Sequence, residues 1–203
     1  MTRDPALADP ARLAVQFVLQ TAAKPRDRRA ADEDTSVLGW LVMTVESARR
    51  AGIAVPRDVF AAADRFLDSV ETNGRYAYAR GAAPSPEMTA EALFVRQIVG
   101  HERSEPRMSA SAEFVLATKP RWENGAPTYH WYYATLSLFQ QQGQSWNAWN
   151  EALMPQLVGH QRTDGPAAGS WDPQDEWSRL GGRVYQTAIC TLSLEVYYRY
   201  KPR

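Results

Sequence analysis

The chain has 203 residues, enough to bury one well-formed core and short for two. Its 23 basic side chains balance 23 acidic ones, so no concentrated positive charge favours nucleic acid or an anionic lipid surface. A single cysteine, Cys190, argues against an internal disulfide and a thiolate metal cluster, and in its apolar run it reads as a small core hydrophobe.

The N-terminal stretch MTRDPALADPARLAVQFVLQ lacks the unbroken apolar core of a signal peptide, because Arg12 and Gln16 interrupt it. It predicts an amphipathic helix over 12–20. No window is long and apolar enough to span a bilayer, so the expectation is a soluble, cytoplasmic chain. Next comes DTSVLGWLVMTVESARRAG, with the capping residues Asp34 and Thr35 at its start and Arg49, Arg50 and Gly52 at its end. PRDVFAAADRFLDSVET then places Val59, Phe60, Ala63, Phe66, Leu67 and Val70 on one helical face behind Pro56. SPEMTAEALFVRQIVG and PTYHWYYATLSLFQQQG are two further apolar helices, closing on Gly100 and Gly143. Amphipathic helices are predicted over 108–118 and 146–160. Strand signals are scarce, with no alternating runs around an Asn-Gly or Asp-Gly turn. The predicted fold class is all-α.

Phrases recur along these helices. ATLSL at Ala134–Leu138 returns as CTLSL at Cys190–Leu194, 56 residues later, each preceded by aromatic residues. Four related elements begin near Phe17, Phe66, Phe114 and Leu157, at separations of 49, 48 and 43 residues. Each closes one helix and leads through a polar loop into the next apolar helix. The whole chain, 1–203, therefore reads as one array of about four helical hairpins, seven or eight helices, whose members bury a core only by stacking.

The passages DTSVLGW, YHWYYATLSLF, AGSWDP and GGRVYQTA with LEVYYRY resemble the prenyltransferase and squalene-cyclase repeat family, closest to its uncharacterised bacterial members, from about Leu13 to Tyr200. The resemblance implies an α/α toroid in which inner helices line a central cavity. A complete toroid of that family has six helix pairs, so four imply a partial toroid or open arc with two exposed edges. The family's Gln–Gly–Trp signature is stretched here to Gln161 and Gly169-Ser170-Trp171.

Similarity to squalene–hopene-type cyclases implies a catalytic acid in ADEDTS: aligning Thr35 puts Asp34 on the last Asp of their motif and Glu33 on the proton donor. Capping of a helix N-terminus explains Asp34 and Thr35 equally simply. The helix of His130 resembles the aromatic inner helix in which protein prenyltransferase β subunits carry a zinc-binding His. The companion segment here is Glu87-Met88-Thr89, without a Cys, so neither a metal site nor a cofactor is expected. Trp40, Tyr129, His130, Trp131, Tyr132 and Tyr185 are candidates for an aromatic wall facing a ligand, or for packing. The loop GSWDPQDEWSRLGGRVY offers Trp171 and Arg183 as a rim, Arg183 receiving an anionic group or pairing with Asp172 or Asp175. Two functions follow as expectations. One is a non-catalytic or degenerate repeat protein working in binding or assembly, through self-association or contacts with a parent protein at its open edges. The other is an isoprenoid-binding or class II terpene-cyclase-like protein.

Overall fold

The computed structural model describes residues 4–23 and 34–199. Among the described residues nine α-helices run in chain order: α1 (Ala8–Ala23), α2 (Thr35–Arg50), α3 (Asp58–Ser69), α4 (Pro86–Val99), α5 (Pro106–Leu116), α6 (Thr128–Gln141), α7 (Gly143–Gly159), α8 (Glu176–Leu194) and α9 (Val196–Arg199). The fold is all-α. Among the described residues no helix is long and apolar enough to cross a membrane.

Helix boundaries follow local chemistry. Asp34 caps α2 by accepting from Val37 N at 2.9 Å, and Arg49 and Arg50 in the last turn pair with Glu46. Ser85 caps α4 ahead of Pro86, and Gly100, at φ 116°, ends it in a conformation that a side chain would oppose. The capped start, the arginines and the Gly100 stop are those the sequence predicts. α8 is broken at Gly182 (φ 67°, ψ −167°), so Gly181-Gly182 divides it into a short first segment and a longer second one.

One element departs from the expectation. A two-residue antiparallel ladder, β1 (Glu71–Thr72) with β2 (Arg75–Tyr76), turns at Asn73-Gly74, both at positive φ. It is an Asn-Gly hairpin. Its strands are too short to show alternation, which hid it in the sequence.

α2, α4, α6 and α8 lie side by side in that order, each touching the next. α3, α5 and α7 back them: α3 packs on α2 and α4, α5 on α4, α6 and α7, and α7 on α6. α1 packs on α2. The two middle helices of the row are enclosed. Every residue from Met88 to Gln97 on α4 is buried, and so is every residue from His130 to Gln140 on α6. Trp131, Trp149 and Trp171 anchor the larger cluster around α6, at roughly 25 cal/mol per Å² of apolar surface removed from water. A second cluster joins Val42, Leu67, Tyr76 and Val95 under the hairpin.

Candidate functional site

The most unusual group in the molecule is Glu91, fully buried in the middle of α4. Its Oε1 accepts from the Gly39 amide of α2 at 3.0 Å, and its Oε2 accepts from the Tyr129 hydroxyl of α6 at 2.9 Å. One carboxyl thus ties three adjacent helices. Gly39 makes the approach possible: a Cβ there would overlap Glu91 Oε1 and come within 2.7 Å of its Cγ and Cδ. Burial pushes the Glu91 carboxyl up to about 8, against the opposing pull of Tyr129 and the Gly39 amide, and the negative charge of Asp34 adds to the rise. At neutral pH it is a neutral acid that can donate a proton to a hydrogen bond.

Aromatic rings surround this carboxyl. Trp40 of α2 stacks on Tyr132 of α6 with centroids 5.8 Å apart, and meets Tyr133 edge-on at 5.7 Å. Tyr129 and Tyr133 lie 5.2 Å apart. Burial raises the pKa of both phenols, so they stay protonated. The Tyr133 hydroxyl is buried beside that of Tyr129. Side chains of α2 and α6 thus meet across α4. Trp40, at 43% exposure, is its outermost member. Two surface hollows lie elsewhere: one of 270 Å³ beside Arg75 and Phe114, one of 210 Å³ beside His101 and Arg103.

Of the acids proposed from sequence, Glu33 lies outside the described residues. Asp34 is a helix cap: besides the Val37 amide it accepts from Ser36 Oγ at 2.6 Å and the Tyr78 hydroxyl at 2.9 Å. Thr35 Oγ1 donates to Ala77 O, joining α2 to the segment after the hairpin. Trp40, Tyr129 and Tyr132 do come together.

The other wall candidates do not join them. His130 is fully buried, set edge-on to Trp149, and burial lowers its pKa against the opposing pull of Glu87 and the Thr118 backbone, so it packs as a neutral ring rather than standing at a rim. Trp131 packs toward Trp122 in the core. Four aromatics within five residues of a helix must point in several directions, and on α6 every direction is occupied. Trp171 is buried too, not a lid: its Nε1 donates to Leu157 O at 2.7 Å. Arg183 pairs with Asp172. Tyr185 is half-buried with an unpartnered hydroxyl that burial pushes up to about 12. The Cys190 thiol is likewise pushed up to about 12 by burial, with Gln186 opposing, so it stays an unreactive thiol. No three His, Cys, Asp or Glu side chains stand close enough to hold a metal ion among the described residues.

Sequence reasoning missed Glu91. The signal was a lone acid inside the apolar run of α4, but which glycine faces it depends on how the helices stack. Gly39→Ala is expected to destabilise the chain by about 2 kcal/mol or more, through overpacking against Glu91. In an E91A background the same change should cost well under half of that, measured as a double-mutant cycle by urea unfolding.

At the edges of the row the surface changes character. Leu13 and Phe17 on α1 are 66% and 69% exposed, and Leu180 and Val184 on α8 are 77% and 82% exposed. From Gly181 to Leu194 the only charged residue is Arg183, which Asp172 already pairs. The chain matches no family model, no curated protein and no solved structure.

Proposed function

We propose that this chain is a non-catalytic helical repeat protein, of the prenyltransferase and squalene-cyclase type its motifs resemble, that works by binding at its open edges. The carrying observation is the contrast between α4 and α6, enclosed along most of their length, and the bare apolar side chains on α1 and α8. Interior surface already spent on packing has nothing left for a substrate. Exposed apolar surface at both ends of a repeat array is what a partner would cover. The capping role of Asp34 supports the same reading, because it removes one of the two acids a cyclase-like reaction would use.

A second reading, an apolar or isoprenoid ligand held at the aromatic cluster, draws on one observation: a neutral carboxyl and buried phenols beside the half-exposed ring of Trp40. A fluorescent naphthalenesulfonate probe of apolar surface, titrated into dilute protein, separates the two. Under edge binding, the probe signal falls several-fold in a Leu180→Glu/Val184→Glu variant and is unchanged in Trp40→Ala. The reverse pattern overturns edge binding and favours the ligand site.

A further inference from the structure

At the end of α4 that carries Gly100, charged side chains close into one cycle. Asp64 and Asp68 of α3 share Arg96 of α4: its Nη1 pairs with Asp64, and its Nη2 donates to Asp68 Oδ1 at 2.6 Å. Asp68 Oδ1 also accepts from Arg107 Nη1 of α5 at 3.2 Å, and Arg107 Nε donates to Glu105 Oε2 at 3.3 Å. His101, in the turn between α4 and α5, completes the circuit. Its Nδ1 stands 3.1 Å from Glu105 Oε2, and its Nε2 stands 2.9 Å from Asp64 Oδ1. Acid and base alternate at every step, and the cycle joins α3, α4 and the start of α5.

This geometry decides how many protons the imidazole needs. A carboxylate only accepts, while a neutral imidazole has one N–H and one nitrogen lone pair. With a carboxylate oxygen opposite each nitrogen, only the imidazolium satisfies both contacts. Of the side-chain types in the cycle, imidazole alone ordinarily changes charge between about pH 5 and 8. Burial works to raise the Asp64 carboxyl, but His101 and Arg96 more than offset it and hold it below the usual carboxylate range. Burial likewise opposes the charge of Glu105, while the Glu102 amide, His101 and Arg107 hold it low. Around the imidazole, Glu102 and Arg103 of its own turn line the same hollow, and Gln97 of α4 and Gln140 of α6 add no charge.

We propose that His101 is a pH-dependent clasp, closed as the imidazolium, that fastens α3 and the start of α5 to the end of α4. Loss of one proton sets a lone pair against a carboxylate and leaves three acids facing two arginines. α3 is the element that responds, because it buries only Ala63 and Leu67 of its own. The His101, Asp64 and Glu105 side chains are 16%, 28% and 32% exposed, so water reaches the clasp and its opening shifts α3 locally rather than unfolding the chain. The device goes beyond edge binding and is independent of what the edges bind.

Hydrogen exchange from about pH 5.5 to about pH 8 tests it, with each rate corrected for the intrinsic effect of pH on exchange. The comparison is wild type against His101→Gln, which keeps an N–H donor but cannot change charge. The backbone amide at this position donates to Arg96 O whatever the side chain, so the turn itself is retained. At the acid end the α3 amides are expected to be about fivefold better protected in the wild type, and this gap should close toward the alkaline end. NMR of the His101 ring nitrogens in the wild type gives a second readout. The proton should leave over the same pH interval in which the gap closes. A gap that stays constant with pH, or one that closes where the His101 ring does not titrate, overturns the clasp.

Discussion

Glu91→Gln is expected to flatten the pH dependence of stability above pH 5. Glu91 is tied to Gly39 and Tyr129, and its folded pKa of about 8 stands above the ordinary 4.5. A group raised on folding contributes stability that is fully present below its unfolded pKa and is lost as pH rises through its folded pKa. The wild type should therefore weaken from about pH 4.5 to about pH 8, by about 1.4 kcal/mol per pH unit at most, and then level off. Glutamine keeps the shape and neutrality of the protonated acid, so it stays in place at alkaline pH. The difference between the two proteins, read from urea unfolding at a series of pH values, should grow toward the alkaline side to a few kcal/mol. No cation contributes to the Glu91 shift, and the facing groups are Tyr129, Tyr133 and the anionic cap Asp34. A difference that stays constant with pH would show that Glu91 is ionised in the folded chain and held by something else.

This carboxyl also marks how far the sequence can be read. Asp34 as a cap, the Arg49-Arg50 ending and the Gly100 stop were legible because each is decided within a few residues of chain. The all-α class was legible because apolar residues recur at helical spacing along the sequence. The destination of each aromatic residue was not. Tyr129, His130, Trp131 and Tyr132 are consecutive, so periodicity gives them different directions but not what stands in each one. The structure puts Tyr129 and Tyr132 beside Trp40, Trp131 beside Trp122 and His130 beside Trp149. Only the stacking of α2, α4, α6 and α7 decides that. Trp171 was misplaced for a similar reason: its loop is long and polar, yet one ring folds back to reach a carbonyl of α7.

The buried acid and the bare edge differ first of all in their surroundings. Glu91 has the chemistry of a proton donor, but all its oxygens are engaged with protein groups and it is enclosed on α4. Its carboxyl does the work of a strap between helices. Leu180 and Val184 have no chemistry at all, yet they stand in water, where each costs solvation free energy until something covers it. On this reading the inner helices serve stability and the outermost ones serve recognition.

The second large effect expected concerns Arg96, fully buried on the side of α4 that carries α3. Its Nη2 donates to Asp68 Oδ1 at 2.6 Å, its Nη1 pairs with Asp64 and also donates to the Asp64 carbonyl, and its Nε donates to the Tyr76 hydroxyl at 3.2 Å. Burial works against the guanidinium charge, but the Tyr76 oxygen and the two carboxylates more than restore it, and its pKa lies above the ordinary arginine value. α3 buries only Ala63 and Leu67 of its own, so much of its attachment passes through this one side chain. Arg96→Met should cost about 3 kcal/mol in urea unfolding, near the lower end for breaking a buried pair, because Asp64 and Asp68 are 28% and 57% exposed and can take up water. Arg96→Lys keeps the charge but not the planar fork that reaches two carboxylates at once, and should fall between the two. Hydrogen exchange gives the more specific reading. Amides of α3 should exchange faster in Arg96→Met, while those of α6, which Arg96 does not touch, keep the protection expected from the lower global stability alone. Equal acceleration throughout would mean that Arg96 supports the whole core rather than fastening α3 to it.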